Sequence, residues 1–446
     1  MTARWTIACD RAELLVECAR GAEALGLPIS PAFDPDPARV VADALLRAEP
    51  AALVVASPPS PPTLVSLARC GAETRAPVAV AILGPPDRVE ASVALAGDLG
   101  IVAVDEVRPL VSALALLGAG ASRPWSASTR PLPEVDRLRL AHVMEPAERG
   151  AGRLSREDDA LLGWRDRGAV VCIGEPRDVA LAIGALRAAH DGGVDAAPPV
   201  PRELEPRSVL DVIFGPPRAL SDPASKSALA PYGVPVPLEE LCTSPSRAAA
   251  EAARIGFPIR IALASPDLRV WDHPDLAVDG VDGAARVKEV FRQVMTLGRS
   301  RAPGARLLGV TVMAASTARA LLRITASPLP DGLALVEIGF ADAHGVAAGD
   351  HTLTALPASE ARIGRVLGRL AGSELLLAPG RQGSLEAITD VLLKVAAFVD
   401  DWRDEVTSVQ VDPLAVLVGG GIEAREACVT VGDAFLRTLE LPATGL

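Results

Sequence analysis

Three lysines (Lys226, Lys288 and Lys394) and five histidines, the first of them His142, are the side-chain amines and imidazoles this chain has for phosphate contact or group transfer. The other basic residues are arginine, 41 of the 44 Lys+Arg total (44 − 3), which with abundant Ala, Pro and Gly reflects a high-GC coding bias. A guanidinium does not replace an ammonium where a compact point charge is needed. The six cysteines, Cys9, Cys18, Cys70, Cys172, Cys242 and Cys428, form no CxxC pair and no Cys/His cluster at ligand spacing. They read as small buried hydrophobes in a reducing compartment, and a structural zinc site is not expected. His273, between Asp272 and Pro274, has the surroundings of a surface turn residue. Arg260 and Ala262, two apart in an apolar run, would share one face of a strand.

Elements must then place these groups. Over residues 1–118, the short apolar runs Trp5–Cys9, Ala51–Ala56, Val78–Leu83 and Ile101–Val104 alternate with Ala/Leu/Arg stretches of helical period. That alternation predicts a doubly wound parallel sheet with helices on both faces. The turns after two of the runs, residues 57–62 and 84–86, lie where such sheets bind ligands. Both are proline-rich, and proline has no N–H with which to cradle a phosphate. No G-x-G-x-x-G unit follows the first strand.

Residues 119–205 loosen into Gly/Ser/Pro-rich segments around one small βα unit. That unit parallels residues 220–255 in order, as either a half-repeat or a chance match between common βα units. Residues 206–446 carry mixed helices and alternating strands such as Ala318–Ala326, Leu333–Gly339 and Val406–Val411, an α+β body. It closes with Leu414–Val418, Gly419-Gly420-Gly421 and Ala427–Val431, which predicts a hairpin.

Five ordered stretches carry a resemblance. They are Leu229-Ala230-Pro231-Tyr232-Gly233-Val234-Pro235-Val236, Gly256-Phe257-Pro258 after an Ala-rich helix, Ala264-Ser265-Pro266-Asp267, the strand Leu308–Val312, and Val411-Asp412-Pro413-Leu414. They resemble the ATP-grasp domain of NDP-forming (ADP-forming) acyl-CoA synthetases, the acetate–CoA ligase family. The first 118 residues look like the family's flavodoxin-like, succinyl-CoA-ligase-type domain, while its CoA-binding Rossmann domain has no counterpart here. The expected fold class is α/β: a flavodoxin-like domain at 1–118, a linker with a small βα unit at 119–205, and an α+β ATP-grasp-like domain at 206–446.

The resemblance implies acid–CoA ligation driven by Mg-ATP, with a phosphate-binding Lys, a phosphoryl-carrying His and glycines against the phosphates. The Lys position falls on Ala262, where Arg260 could reach over it, and Arg269 is a second candidate phosphate contact. The family's His position becomes Val270, leaving His273 as a displaced candidate for catalysis. The adenine-side Glu falls on Ala314, and the glycine-rich loop on Gly339-Phe340-Ala341-Asp342, flanked by His344 and His351. Asp412 and Asp433 take the acidic positions as either hard-oxygen ligands for Mg²⁺ or turn residues. The expectation is a homologue with reduced or lost catalysis and a binding, regulatory or scaffolding role. The alternative is an active ligase subunit that obtains CoA through a separate CoA-binding partner. A homo-oligomer is a further possibility for assembly.

The net charge of −12, with basic residues scattered, excludes a nucleic-acid footprint. No uninterrupted apolar run reaches spanning length and no leader pattern opens the chain, so a cytoplasmic protein without membrane contact is expected.

Overall fold

The computed structural model describes residues 4–24, 27–118, 165–166, 169–170, 176–192, 206–330, 332–341, 350–377 and 382–436. The chain divides into two compact units, Met1–Val194 and Asp195–Leu446.

The first unit is a five-stranded, wholly parallel sheet in the order β2-β1-β3-β4-β5. Its strands are β1 (Trp5–Cys9), β2 (Ile29–Phe33), β3 (Ala51–Val55), β4 (Val78–Ile82) and β5 (Val102–Val104), with helices α1 (Ala12–Ala24), α2 (Pro37–Leu46), α3 (Pro61–Thr74), α4 (Pro86–Asp98) and α5 (Val107–Gly118) between and after them. This 2-1-3-4-5 order is that of flavodoxin-like folds. Every residue of β3 and β4 is buried, as expected for central strands covered on both faces. The pattern of apolar runs misses β2, because Pro28 and Pro31 break it up; β2 is an edge strand, where a missing N–H is tolerated. Helix α6 (Pro176–Asp191), within the stretch expected as a linker, contributes Ala182, Ala185 and Leu186 to this unit's core. A two-stranded ribbon, β6 (Arg165–Asp166) with β7 (Ala169–Val170), precedes it. The rest of the expected half-repeat's first copy lies outside the described residues, as do Cys172, Asp342 and His344. The five described cysteines are free thiols.

The second unit holds two antiparallel sheets. The smaller runs β11-β10-β12-β9, from β9 (Glu239–Cys242), β10 (Ile259–Ala264), β11 (Ala277–Val281) and β12 (Gly309–Ala314). Its core closes under α9 (Pro245–Ile255) and α10 (Ala284–Arg301) through Ala248, Ala252, Val287, Val290 and Val294. The larger sheet runs β15-β14-β13-β16-β18-β8, with β17 added on β16. Its strands are β8 (Arg218–Ala219), β13 (Ala318–Leu329), β14 (Leu333–Phe340), β15 (His351–Leu356), β16 (Val406–Leu417), β17 (Ile422–Ala424) and β18 (Ala427–Val431). Helices α7 (Pro206–Ile213), α8 (Asp222–Leu229), α11 (Glu360–Leu367), α12 (Glu374–Leu377) and α13 (Gln382–Asp401) belong with it, and α13 buries Ile388, Val391, Leu392, Val395 and Phe398 in its core.

The C-terminal hairpin forms around the triple-glycine turn as expected, with a longer first arm. Residues Val406–Leu417 form one strand, and the Gly419–Gly421 turn returns into β17, where Leu414 faces Ala424. The last strand, β18, continues the same arm in the same register along the first half of β16, Val411 facing Ala427. The return arm is therefore one run along β16, divided into β17 and β18 only at Arg425-Glu426.

Among the described residues no helix is long and apolar enough to cross a membrane.

Candidate functional site

The motif residues are the natural starting point, and several prove to be structural. Gly233 ends the 3₁₀ turn after α8 at φ 78°, and a Cβ there would lie 3.2 Å from Lys394 Cε. Tyr232 donates to Asp401 Oδ2 at 2.9 Å, accepts from Trp402 Nε1 at 3.0 Å and packs edge-on against Phe398. In Ser265-Pro266-Asp267 the Ser265 hydroxyl accepts from the Asp267 and Leu268 N–H groups and donates to the Arg306 carbonyl. Asp267 then takes the Arg306 N–H at 2.7 Å and its guanidinium at 2.6 and 2.9 Å. Those bonds hold its carboxyl well down, at about 2.

The charged side chains converge elsewhere, at the seam between the two sheets of the second unit. Arg260 points off β10 on the face shared with Ala262. Its Nη1 donates to Asp279 Oδ2 at 2.8 Å and its Nη2 to Glu426 Oε1 at 2.6 Å, so it joins the small sheet to the large one. Glu426 is 3% exposed; burial pushes its carboxyl up to about 8 against the pull of Arg260. Asp412 lies directly across from Glu426 on β16, its N–H bonded to the Glu426 carbonyl. Cross-strand neighbours of this kind carry their side chains on the same face, about 5 Å apart. Arg323 Nε donates to Asp412 Oδ2 at 2.6 Å. Burial raises the Asp412 carboxyl and the nearby Asp272 adds to the rise, while Arg323 opposes it.

A second tie runs parallel to the first. Lys226 on α8, 3% exposed, donates to Asp222 at 2.9 Å, to Glu239 on β9 at 2.6 Å and to the Arg425 carbonyl at 2.6 Å. All three ammonium hydrogens are used. Burial pushes Glu239 up to about 7, with Lys226 pulling the other way. Between the sheets, the connection after β12 is clamped. Arg425 Nη2 donates to the Ser316 carbonyl at 2.6 Å and to its hydroxyl at 2.8 Å, and both Ser316 and Arg425 Nε bond Glu423.

Residues 215–431 match the ATP-grasp domain family. That stretch is an ATP-grasp domain. The beta subunit of acetate–CoA ligase [ADP-forming] II from Pyrococcus furiosus is 25% identical over 208 residues, 44% of this chain and 85% of the relative. The chain is homologous to it. Among solved structures, a Pyrococcus horikoshii protein is 22% identical, covering 51% of this chain and 99% of its own, with a TM-score of 0.45. The dinucleotide-forming acetyl-coenzyme A synthetase 1 of Ca. Korarchaeum cryptofilum is 20% identical, covering 48% and 93%, with a TM-score of 0.43.

Within the ATP-grasp domain the expected site residues part company. Arg260, Arg269 and Asp412 reach the same face of the β16–β18 pair, but Arg269 is committed locally. Its Nη1 donates to the Ser265 and Pro266 carbonyls at 3.3 and 2.8 Å, its guanidinium lies 5.9 Å from the Trp271 ring, and it bonds the Cys428 thiol. His273 bonds elsewhere, its Nδ1 3.5 Å from Arg301 Nη1 at the end of α10. Val270 packs in the small sheet's core, and His351 is exposed on β15 facing Gly339. Asp433 follows β18 at its far end, where Val431 faces Val406. Six residues of strand separate that end from Asp412, about 20 Å at the usual rise.

Sequence reasoning missed Glu426, Glu239, Arg323 and the role of Lys226. A usable signal for Glu426 was its place immediately before the last apolar strand, which antiparallel pairing sets against Asp412.

An ATP-grasp domain implies Mg²⁺. The implied pair Asp412 and Asp433 does not converge, and the pair that does, Asp412 and Glu426, already has a guanidinium on each carboxylate. Among the described residues no three His, Cys, Asp or Glu side chains gather as a metal site. As they stand, these residues do not fit the ion.

Proposed function

We propose that this chain is a degenerate homologue of the ADP-forming acyl-CoA synthetases, with catalysis reduced or lost and a binding, regulatory or scaffolding role in the cytoplasm. In this reading residues 1–118 and 206–446 are its flavodoxin-like and ATP-grasp-like domains, and 119–205 connects them. The carrying observation is Arg260, which has the position to replace the missing lysine at Ala262 but spends its guanidinium on Asp279 and Glu426. Lys226, Arg323 and Arg425 are likewise each matched by a carboxylate. A polyphosphate entering the seam would meet neutralised cations and more carboxylate than it can displace.

Incubation with Mg-ATP, CoA and a panel of short carboxylic acids should release no ADP above blank. Robust acid-dependent release would overturn the reading.

One observation favours an active ligase subunit working with a separate CoA-binding partner: the homologous Pyrococcus furiosus protein is itself a beta subunit. If that holds, millimolar Mg-ATP raises the melting temperature by mass action and Asp412→Ala removes the rise. The degenerate reading expects no shift.

A further inference from the structure

The misfit between the seam and Mg²⁺ has a structural consequence that rests on the reading above. We propose that Arg260 and Arg323 occupy the cation's place, neutralising the Glu426–Asp412 pair, and that Arg260 thereby latches the two sheets of the ATP-grasp domain together without metal or nucleotide.

Three features carry this. Arg260 on β10 bonds Asp279 on its own sheet and Glu426 beside β18 on the other, so parting the sheets strips the buried Glu426 of its cation. Glu426, 3% exposed, offers no room for the water that Mg²⁺ retains when it binds carboxylates. The motion would also have to break the Lys226–Glu239 tie and the Arg425 clamp on Ser316, which restrain the same seam from its other side. In an enzyme that closes on Mg-nucleotide the cation arrives with the ligand; here it is covalently part of β10 and always present.

Two measurements on the full chain test the latch. Titration with Mn²⁺, followed by the electron paramagnetic resonance of the free ion, should show no ion taken up by the unaltered protein at millimolar concentration. Hydrogen exchange should show segments 257–264 and 422–427 about tenfold less protected in Glu426→Gln and in Arg260→Gln, with the double variant no worse than the weaker single, as for one shared interaction. Mn²⁺ uptake that Asp412→Asn abolishes would overturn the proposal without needing any variant of Arg260 to fold. So would unchanged exchange in both single variants. Acid-dependent ADP release alongside the expected exchange pattern would sink the catalytic reading and leave the latch standing; Mn²⁺ uptake without ADP release would do the reverse.

Discussion

At the scale of single residues, the motif positions that shape the backbone are distinct from those to which the resemblance assigns charge. Gly233 and Asp267 do structural work, one through its backbone conformation and one through its bonds to Arg306. A Cβ at Gly233 meets both a left-handed backbone and the Lys394 side chain, so Gly233→Ala should cost about 1–2 kcal/mol in urea denaturation. Asp267 is held at about 2 by the Arg306 hydrogen bonds, below its ordinary 3.8. A depressed carboxylate contributes stability above the ordinary value and loses it as pH falls through the folded one. Melting temperature should therefore drop between about pH 4 and pH 2, and Asp267→Asn should flatten that limb while lowering stability at neutral pH. A melt with the same acid limb in the variant would rule this out. The positions that the resemblance ties to chemistry differ: Ala262, Val270 and Ala314 are aliphatic, and the first two pack in the small sheet's core.

At the scale of elements, the seam is held by side chains from α8, β9, β10 and the β17–β18 connection. Lys226→Met should be the most damaging single change there, because it leaves Asp222 and Glu239 buried without their cation; breaking one partner of a buried pair costs about 3–5 kcal/mol. Lys226→Met/Glu239→Gln should recover part of that loss, which guanidinium denaturation of the two variants would show. Equal stability of single and double variants would mean that α8 and β9 are not coupled through this pair.

Over the whole molecule, the buried carboxylates set the pH response of the second unit. Glu239 lies at about 7 in the fold against an ordinary 4.5. A raised folded value gives stability that is fully present below the ordinary one and is lost as pH climbs through the folded one. The melting temperature should fall between about pH 5 and pH 7, and Glu239→Gln should remove that part of the slope. A melt that rises over this range in the unaltered chain would contradict it.

The amino-acid sequence by itself determined the parallel sheet of the first unit and most strands of the second, because buried runs such as Ala51–Val55 and Val78–Ile82 are local and continuous. It also showed that the position the resemblance gives to a lysine holds Ala262, which needs no coordinates. Only the tertiary structure decided which charged side chains meet at the seam. β2 was hidden by its prolines, and the partner of Asp412 depended on β16 running unbroken through Pro413 to pair with β17 at one end and β18 at the other. Strand register is a long-range quantity, set by which faces are buried together. Without it Asp433 stood where Glu426 belongs, and the arginine that meets Glu426 lies 166 residues away along the chain.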